Sequence, residues 1–369
     1  MGSVFETLGV RPVINASGIY TDLGGSRISP EVWAAMTEMN ERWVRMPDLL
    51  DRSGEILAER VGAQAARVTP GAAAAIMLGI AACMTGDDGK GWEQLPDTSG
   101  LRDEVVIQAA HRYKYDRQAW MTGARRVEIG TVDGTDPDEL REALSDRTAA
   151  IVHPGHLDGH GGSLPLEAVA DIAHARDVPI FVDAAYLNYP TSVMRTFVAR
   201  GADLVCFSAK YFGGPNAGGF VAGRRDLIDA IAGIDFTRYE SGEFRTYGRP
   251  LKLDRQIVAG VVLALEAWLS MDHEARFASY AARVQEMGRR QSAVPGVSHR
   301  PMFFTMDERL VDPQPTNCLV VEFDPSGGRS ADIVASRLAE GEPSIVSVAE
   351  AGRLLLAVDA MNDEEARIT

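Results

Sequence analysis

The sequence predicts an α/β protein whose larger domain is built on a mostly parallel β-sheet with helices on both faces. From about residue 51 to residue 222, short apolar segments alternate with amphipathic segments of helix length, and this alternation is typical of such a sheet. The length of 369 residues and the hydrophobic content of 46% favour one large domain followed by a smaller α/β domain. Ligands of such sheets bind beyond the carboxyl ends of the strands.

The elements of the larger domain can be assigned in order. Apolar runs of strand length occur around Val68 and in EVVIQAA, RRVEIG, TAAIVHP, PIFVDAA, DLVCFSA and GGFVAGR. Helical segments lie among them: LLDRSGEILAERVG, GAAAAIMLGIAACM, HRYKYDRQAWMTG, DPDELREALSD and LPLEAVADIAHARD. Most of the strands are therefore joined by helical crossovers, which makes them parallel.

The remainder of the chain is predicted to form the smaller domain. A polar and aromatic passage from Asp235 to Pro250 has too few apolar residues to form its own core, so we expect a partner subunit of a homodimer to order it. A long helix is predicted from about Gln256 to Glu286. The segments NCLVVEFD and RLLLAV are predicted strands. We divide the chain into an N-terminal segment of residues 1–45 that packs with the smaller domain, a large domain of residues 46–250 and a small domain of residues 251–369.

Charge and cysteine usage argue against several classes of function. A net charge of −15 and a pI near 5.0 disfavour binding to nucleic acid or to anionic membranes, because both need a dense Lys/Arg surface. The longest apolar run falls short of the ~20 residues that span a bilayer. Cys83, Cys206 and Cys318 form no CxxC pair, and the N-terminus does not resemble a secretory leader. We expect a soluble cytoplasmic protein.

Two charged residues end neighbouring apolar strands. Asp183 lies in PIFVDAA, and Lys210 follows DLVCFSA directly before the loop GGPNAGG. A lysine amine can form an imine with the aldehyde of pyridoxal phosphate (PLP), and an acid can keep the pyridine nitrogen protonated, so this pair fits a PLP site. The alternatives are a turn cap for Asp183 and an ordinary solvent-exposed lysine for Lys210.

Small and hydroxylated residues nearby are candidates for binding the phosphate of this cofactor. Ser208 stands two residues before Lys210 and can offer its hydroxyl. Gly71, Ala72 and Ala73 begin a predicted helix, and their small side chains would let backbone N–H groups approach an anion.

Histidines occur at two places near the predicted strand ends. In AAHRYKYD, either His111 or Tyr115 could cover the face of the cofactor, or the segment could simply pack the start of a helix. In HPGHLDGHGG, His153, His156 and His160 lie beside an aspartate, but proline and glycine make this a loop without fixed ligand geometry. We therefore expect no metal site, although one or two of these histidines could line the pocket.

The motifs RPVINASGIYTDLGGSRISPEV, TPGAAAAI, VDAAY, FSAKYFGGPNAGG and YGRPLKLDRQIVAG together resemble the SelA-like branch of the fold-type I PLP-dependent enzymes, which includes D-glucosaminate-6-phosphate ammonia-lyase and bacterial selenocysteine synthase. The resemblance covers nearly the whole chain in order and spacing. It implies an aminotransferase-class fold and a homodimer or higher homo-oligomer. It also implies that Lys210 is the imine lysine, that Asp183 lies under the pyridine nitrogen and that Tyr186 joins the cofactor site.

The resemblance further implies a substrate site and a reaction class. Asn15, Ser17 and Arg353 are the expected substrate-binding residues, the arginine because relatives commonly bind a substrate carboxylate there. Arg255 and Gln256 depart from the Lys and Glu that are usual in the family. We expect a lyase that catalyses α,β-elimination on a small amino acid or amino sugar acid. Racemisation or epimerisation, transamination, and a non-catalytic binding protein of the same fold are the alternatives.

The assignment of Lys210 gives a first prediction. The purified protein should be yellow, and borohydride reduction followed by peptide mapping should place the cofactor on Lys210. Reduction fixes the cofactor to the lysine that carried it, so a label on Lys114 or Lys252 would contradict the assignment.

Overall fold

The computed structural model describes residues 3–242, 244–304, 313–324 and 327–369. The chain forms two units, one of Ile28–Leu269 and the other of the described residues in Met1–Arg27 and Ser270–Thr369. These boundaries differ from the predicted ones at 45/46 and 250/251. Helix Pro30–Glu41 lies in the larger unit, where Arg255 donates hydrogen bonds of 3.0 Å to the carbonyls of Met39 and Arg42 at the end of that helix.

The secondary-structure elements are numbered in chain order. The strands are β1 Val13–Asn15, β2 Ala65–Thr69, β3 Glu104–Gln108, β4 Arg125–Ile129, β5 Thr148–Pro154, β6 Ile180–Asp183, β7 Leu204–Ser208, β8 Gly219–Gly223, β9 Val297–Met302, β10 Cys318–Phe323, β11 Ser344–Val346, β12 Val348–Glu350 and β13 Arg353–Ala357. The helices are α1 Val4–Leu8, α2 Pro30–Glu41, α3 Met46–Val61, α4 Gly71–Thr85, α5 Gly89–Gln94, α6 Arg117–Trp120, α7 Pro137–Ala143, α8 Leu166–His174, α9 Thr196–Ala199, α10 Arg225–Ile234, α11 Phe236–Ser241, α12 Arg255–Ser270, α13 His273–Gln291, α14 Ala331–Glu340 and α15 Asp363–Ile368.

The larger unit contains a seven-stranded sheet with the order β2-β8-β7-β6-β5-β3-β4. Strand β8 runs antiparallel to both of its neighbours, and the other pairs are parallel. The predicted α/β class with a mostly parallel sheet is therefore confirmed. The helix predicted for HRYKYDRQAWMTG is wrong over most of its length. A 3-10 turn at Ala109–His111 leads to the short α6, since His111 and Tyr113 form hydrogen bonds at the edge of the sheet.

Helix α4 packs against the central strands and is buried over most of its surface. It consists almost entirely of small and aliphatic residues, as a helix that is apolar on all sides requires. A Cβ atom on Gly79 would lie 2.3 Å from the ring of Phe181 in β6, so glycine allows the helix to pack this closely on the sheet. The same packing holds Gly71, the first residue of α4, beside Gly219, where an added Cβ would lie 2.9 Å from the Cα of Gly71.

The smaller unit joins the N-terminal segment to the C-terminal part of the chain. Strand β1 pairs in parallel with β11, and β12, β13, β10 and β9 form an antiparallel sheet in that order. The predicted helix from Gln256 to Glu286 is wrong at its centre, where the chain breaks between α12 and α13. The side chain of Asp272 accepts a hydrogen bond of 2.9 Å from the amide of Ala275, and this cap starts a new helix.

Among the described residues, no helix combines the length and the apolar character that crossing a membrane requires.

Candidate active site

The candidate site lies at the carboxyl edge of the seven-stranded sheet. In the pairing register, Thr69 at the end of β2 lies opposite Gly219, and Gly219 lies opposite Ser208 at the end of β7. Asp183 at the end of β6 lies beside Cys206 of β7 and Pro154 of β5. The polar and small residues that the sequence analysis singled out at strand ends therefore lie along one edge, as expected for ligand sites of open α/β sheets.

Lys210 is buried at this edge. Lys210 is only 8% exposed and lies in the 3-10 turn Ala209–Phe212 that follows β7. The amide of Ala209 donates 2.9 Å to the carbonyl of Gly218, so the glycine-rich loop folds back and covers the turn. The Nζ atom stands 4.8 Å from the centroid of the Tyr211 ring. The alternative of an ordinary solvent-exposed lysine does not agree with this burial.

Asp183 is 5% exposed and its carboxylate has three hydrogen-bond donors. Oδ1 accepts from the amide of Ala185 at 3.0 Å and from the Cys206 thiol, whose Sγ is 3.5 Å away, and Oδ2 accepts from the hydroxyl of Tyr113. The hydrogen bond from the Ala185 amide is a local turn cap, the alternative role that the sequence analysis gave for Asp183. The bonds from Tyr113 and Cys206 are not local, so capping alone does not account for the site.

Four aromatic rings connect Asp183 to Lys210. Tyr113 is followed by His156 at a centroid distance of 5.3 Å, His156 by Tyr186 at 5.5 Å, and Tyr186 by Tyr211 at 5.9 Å. We call Tyr113, His156, Tyr186 and Tyr211 the aromatic row. Their side chains come from four different segments, after β3, after β5, after β6 and beside Lys210 after β7. They form an apolar wall with polar tips next to the two charged residues.

The start of α4 provides a backbone surface suited to an anion. No side chain caps the N-terminus of α4, so the first N–H groups of the helix are not satisfied by a capping group. Gly71 has a φ of +80°, and a Cβ there would meet no atom within 4 Å, so the space in front of it is open. Ala72 is buried, Ala73 is exposed, and Ser208 lies across Gly219 from this helix start.

His111 and His153 pack against each other next to the loop that carries His156. Both are fully buried, and their ring centroids are 4.7 Å apart. The Nε2 atom of His111 lies 2.9 Å from the hydroxyl oxygen of Ser163 and 3.0 Å from the carbonyl oxygen of Leu157. Burial, together with the neighbouring His153, lowers the pKa of His111 to about 3, so this ring is neutral. These contacts favour the packing alternative for His111 over a position on the cofactor face. Tyr115, the other candidate, is 46% exposed.

The loop HPGHLDGHGG is ordered by hydrogen bonds to the carboxylate of Asp158. His153 Nε2 lies 3.1 Å from one Asp158 oxygen, the amide of Leu166 donates to the same oxygen at 2.9 Å, and Arg200 donates to the other at 2.6 Å. Burial alone would raise the pKa of Asp158, but these hydrogen bonds lower it well below its usual range. Among the described residues, no group of three or more His, Cys, Asp or Glu side chains could hold a metal ion.

The predicted substrate-binding residues lie in the smaller unit. Asn15 accepts hydrogen bonds from the amide and the hydroxyl of Ser17, at 3.0 and 2.9 Å, and donates to the carbonyl of Gly18 at 2.8 Å, so both side chains close a tight loop. Arg353 is partly buried at the start of β13, which lies between β12 and β10 and is not an edge strand. Asp359, which the sequence analysis did not single out, lies in the same unit, and burial raises its pKa to about 6.

Tyr113 and Tyr211 are site residues that sequence reasoning missed. Tyr211 is adjacent to Lys210, and this proximity was a usable signal. Tyr113 carries no comparable signal, because β5 lies between its own strand β3 and the strand of Asp183. Arg255 and Gln256, which depart from the usual family residues, both contact the end of α2, where Gln256 donates 2.6 Å to the side chain of Asn40.

Comparison with known proteins identifies relatives of this chain. The family model described as L-seryl-tRNA selenium transferase (SelA) matches residues 13–277. The chain is 31% identical over 353 residues to a 5'-C-glycyluridine monooxygenase-decarboxylase from a Streptomyces species, covering 92% of this chain and 83% of that protein. It is 30% identical over 301 residues to D-glucosaminate-6-phosphate ammonia lyase from Salmonella typhimurium (strain 14028s / SGSC 2262), covering 80% of this chain and 77% of that protein.

Solved structures agree with these relationships. The structure of a D-glucosaminate-6-phosphate ammonia-lyase superposes with a TM-score of 0.85 at 27% identity, covering 100% of this chain and 96% of that chain. A serine palmitoyltransferase variant from S. paucimobilis with bound PLP–myriocin aldimine superposes with a TM-score of 0.56 at 14% identity, covering 96% of this chain and 85% of that chain, and shares the fold.

The geometry of Asp183 gives a second prediction. Asp183→Asn keeps the shape of the side chain but removes the negative charge that would balance a protonated pyridine ring. We expect a protein that still folds and binds PLP, with kcat lowered by on the order of 10²-fold, equivalent to about 3 kcal/mol. Measuring kcat and Tm on the same preparation distinguishes a cofactor-binding role of Asp183 from a turn-cap role. If Asp183 is only a turn cap, turnover stays near normal while stability falls by about 1 kcal/mol.

Proposed function

The chain belongs to the L-seryl-tRNA selenium transferase (SelA) family and is a PLP-dependent enzyme, and from this premise we propose that it is a lyase that eliminates a β-substituent from an amino sugar acid or small amino acid. The observation that carries the choice of reaction is the superposition on D-glucosaminate-6-phosphate ammonia-lyase over the whole chain, with a TM-score of 0.85. A net charge of −15 argues against an aminoacyl-tRNA as substrate, because the tRNA backbone is itself negatively charged.

The residues at the sheet edge fit PLP in their chemistry. The uncapped start of α4 at Gly71, together with Ala72, Ala73 and Ser208, would hold the phosphate, because unsatisfied N–H groups and the helix dipole favour an anion. The buried amine of Lys210 would carry the aldehyde carbon.

Two further residues would contact the ring of the cofactor. Asp183 would offer its buried carboxylate to the pyridine nitrogen, and Tyr186, which packs against His156, would offer its hydroxyl at the ring edge. We assign His111 to the support of this site and not to contact with the ring, since its polar atoms are engaged with Ser163 and Leu157.

PLP, when bound, supplies an electron sink for the negative charge that develops on the carbon next to the substrate amine. In the proposed reaction, the substrate amine takes the place of Lys210, and the Nζ atom that is thereby freed accepts the proton from that carbon. The bond from the neighbouring carbon to its hydroxyl then breaks, the oxygen leaves with the bonding electrons and takes up a proton, and water replaces the amine to give a keto acid and ammonia. Burial of Lys210 and the aromatic row excludes bulk water from the α-carbon during the proton transfer.

A second candidate follows from the relative that is a monooxygenase-decarboxylase, at 31% identity. That reaction class consumes oxygen and releases carbon dioxide, whereas elimination does neither. The two candidates therefore leave different products from the same substrate.

An assay of products tests the proposal. The purified holoenzyme is incubated with amino sugar acids, their phosphorylated forms and small hydroxy amino acids, while ammonia, keto acid, oxygen, carbon dioxide and chirality are followed together. Elimination predicts ammonia and keto acid in equal amounts with no oxygen consumed. Oxygen uptake with carbon dioxide release would favour the second candidate. A change of chirality without ammonia would indicate a racemase or epimerase, and product formation that depends on an added keto acid would indicate an aminotransferase.

We assign Asn15, Ser17 and Arg353 to the substrate site, with Arg353 binding the carboxylate. A planar guanidinium can donate two parallel hydrogen bonds to a carboxylate, which an amine cannot match. Arg353→Lys should therefore raise KM roughly tenfold and leave PLP occupancy unchanged. Arg337→Lys, at an exposed position on α14 of the same unit, is the matched control. An unchanged KM in the Arg353 variant would mean that this arginine has only a packing role.

The assembly and location of the enzyme are part of the same proposal. At the start of the passage from Asp235 to Pro250, Arg67 donates two hydrogen bonds to Asp235, of 2.9 and 2.6 Å, so its own chain anchors its first residue. We base the homodimer on exposed tryptophans: Trp43 is 88% and Trp33 is 59% exposed. A monomer in sedimentation experiments at full activity would contradict it. The three free cysteines agree with a cytoplasmic enzyme.

A further inference from the structure

We propose that Tyr113 is a positioning residue that fixes the charge and orientation of Asp183 and thereby keeps the proton on the ring nitrogen of PLP. This inference rests on the cofactor role proposed for Asp183, but not on the identity of the substrate or on the lyase reaction.

The hydrogen bonds to Asp183 define what Tyr113 can do. An ionised carboxylate offers about four acceptor positions. Three are filled by Tyr113, the Ala185 amide and the Cys206 thiol, one to Oδ2 and two to Oδ1. About one position is left for an N–H donor of a ligand, and it lies on the oxygen that Tyr113 also contacts. The Tyr113 hydroxyl therefore controls the direction in which that oxygen presents its remaining lone pair.

Tyr113 acts as a donor throughout the working pH range. Burial, the negative charge of Asp183 and the hydrogen bond to it raise the pKa of Tyr113 far above its ordinary value, so the hydroxyl keeps its proton. The titratable groups that act on it are Asp183, Cys206 and Asp116, and the ring of His156 packs against its own. Burial and the same Asp183 charge raise the pKa of Cys206, so the thiol is also a permanent donor.

A permanent donor on Asp183 has a defined effect on a shared proton. When a pyridine nitrogen and a carboxylate share one proton, a hydrogen bond donated to the carboxylate stabilises its anionic form. The proton then resides on nitrogen, where it makes the ring a better electron acceptor. Loss of the Tyr113 hydroxyl moves the proton toward oxygen and also loosens the carboxylate, since only Cys206 and the local amide remain.

The experiment compares Tyr113→Phe with a matched control, Tyr247→Phe. Tyr247 donates its hydroxyl to the carbonyl of Met121 at 3.2 Å, in the same unit but without contact to Asp183, so both variants lose one tyrosine hydrogen bond. Apoenzymes are loaded with PLP labelled with ¹⁵N in the ring, and the dissociation constant of PLP and the ¹⁵N chemical shift are measured without substrate. Asp183→Asn provides the reference for a ring nitrogen that has lost its charged partner.

For Tyr113→Phe we expect PLP to bind roughly tenfold more weakly, as for loss of one charge-assisted hydrogen bond, and the ¹⁵N resonance to move toward that of neutral pyridine. The Tyr247 variant should keep the wild-type resonance. An unchanged ¹⁵N shift in folded Tyr113→Phe would overturn the inference. Tighter PLP binding would also overturn it, because it would mean that the hydroxyl occupies the place of the cofactor.

A second substitution keeps the inference testable if Tyr113→Phe does not fold. With 3-fluorotyrosine in place of Tyr113, the hydroxyl is more acidic and donates a stronger hydrogen bond at nearly the same size. The ¹⁵N resonance should then move in the opposite direction, further toward protonated pyridine, and no movement would contradict the role. Because these measurements need no turnover, they stand even if the product assay excludes a lyase.

Discussion

A charged carboxylate buried at the end of a β-strand must be satisfied by hydrogen-bond donors, and this requirement organises the carboxyl edge of the sheet around Asp183. An unpaired buried charge costs several kcal/mol, so the donors are a condition of folding as well as of function. They come from the adjoining turn, from the neighbouring strand β7 and from the segment after β3. Since Cys206 and Lys210 belong to one strand and the turn that follows it, the contact that satisfies Asp183 also sets the distance from the acid to the amine.

The histidines illustrate how burial divides residues of one type into different roles. His111 and His153 are fully buried, and burial keeps His111 neutral. The two rings therefore suit a rigid support under the loop that Asp158 orders. His156, only a few residues from His153, is partly buried and lies in the aromatic row between Tyr113 and Tyr186. The support residues therefore fix the loop from which His156 projects. Loop position relative to the strand end, and not residue type, separates the two roles.

The sequence predicts the sheet and its charged edge well, because strand-length apolar runs and the polar residues that end them are local features. Asp183, Ser208 and Lys210 belong to this class. Tyr113 does not, since its partner is set by strand order: β5 lies between the two strands, and nothing in AAHRYKYD indicates which tyrosine turns inward. The break between α12 and α13 is intermediate. Asp272 is a recognisable cap residue, but the apolar pattern on both sides of it reads as one helix.

Glycine spacing on α4 connects the two ends of the proposed cofactor site. Gly79 lies against Phe181 of β6, two residues before Asp183, and Gly71 at the start of the same helix lies against Gly219. A side chain at position 79 would overlap the ring of Phe181 and move α4 away from β6. Such a movement would separate the uncapped helix start at Gly71 from the carboxylate of Asp183, although neither Gly71 nor Asp183 would have been substituted. The distance between an anion-binding helix start and a pyridine-binding acid is thus fixed by close packing in the core, and the polar groups depend on that packing for their relative positions.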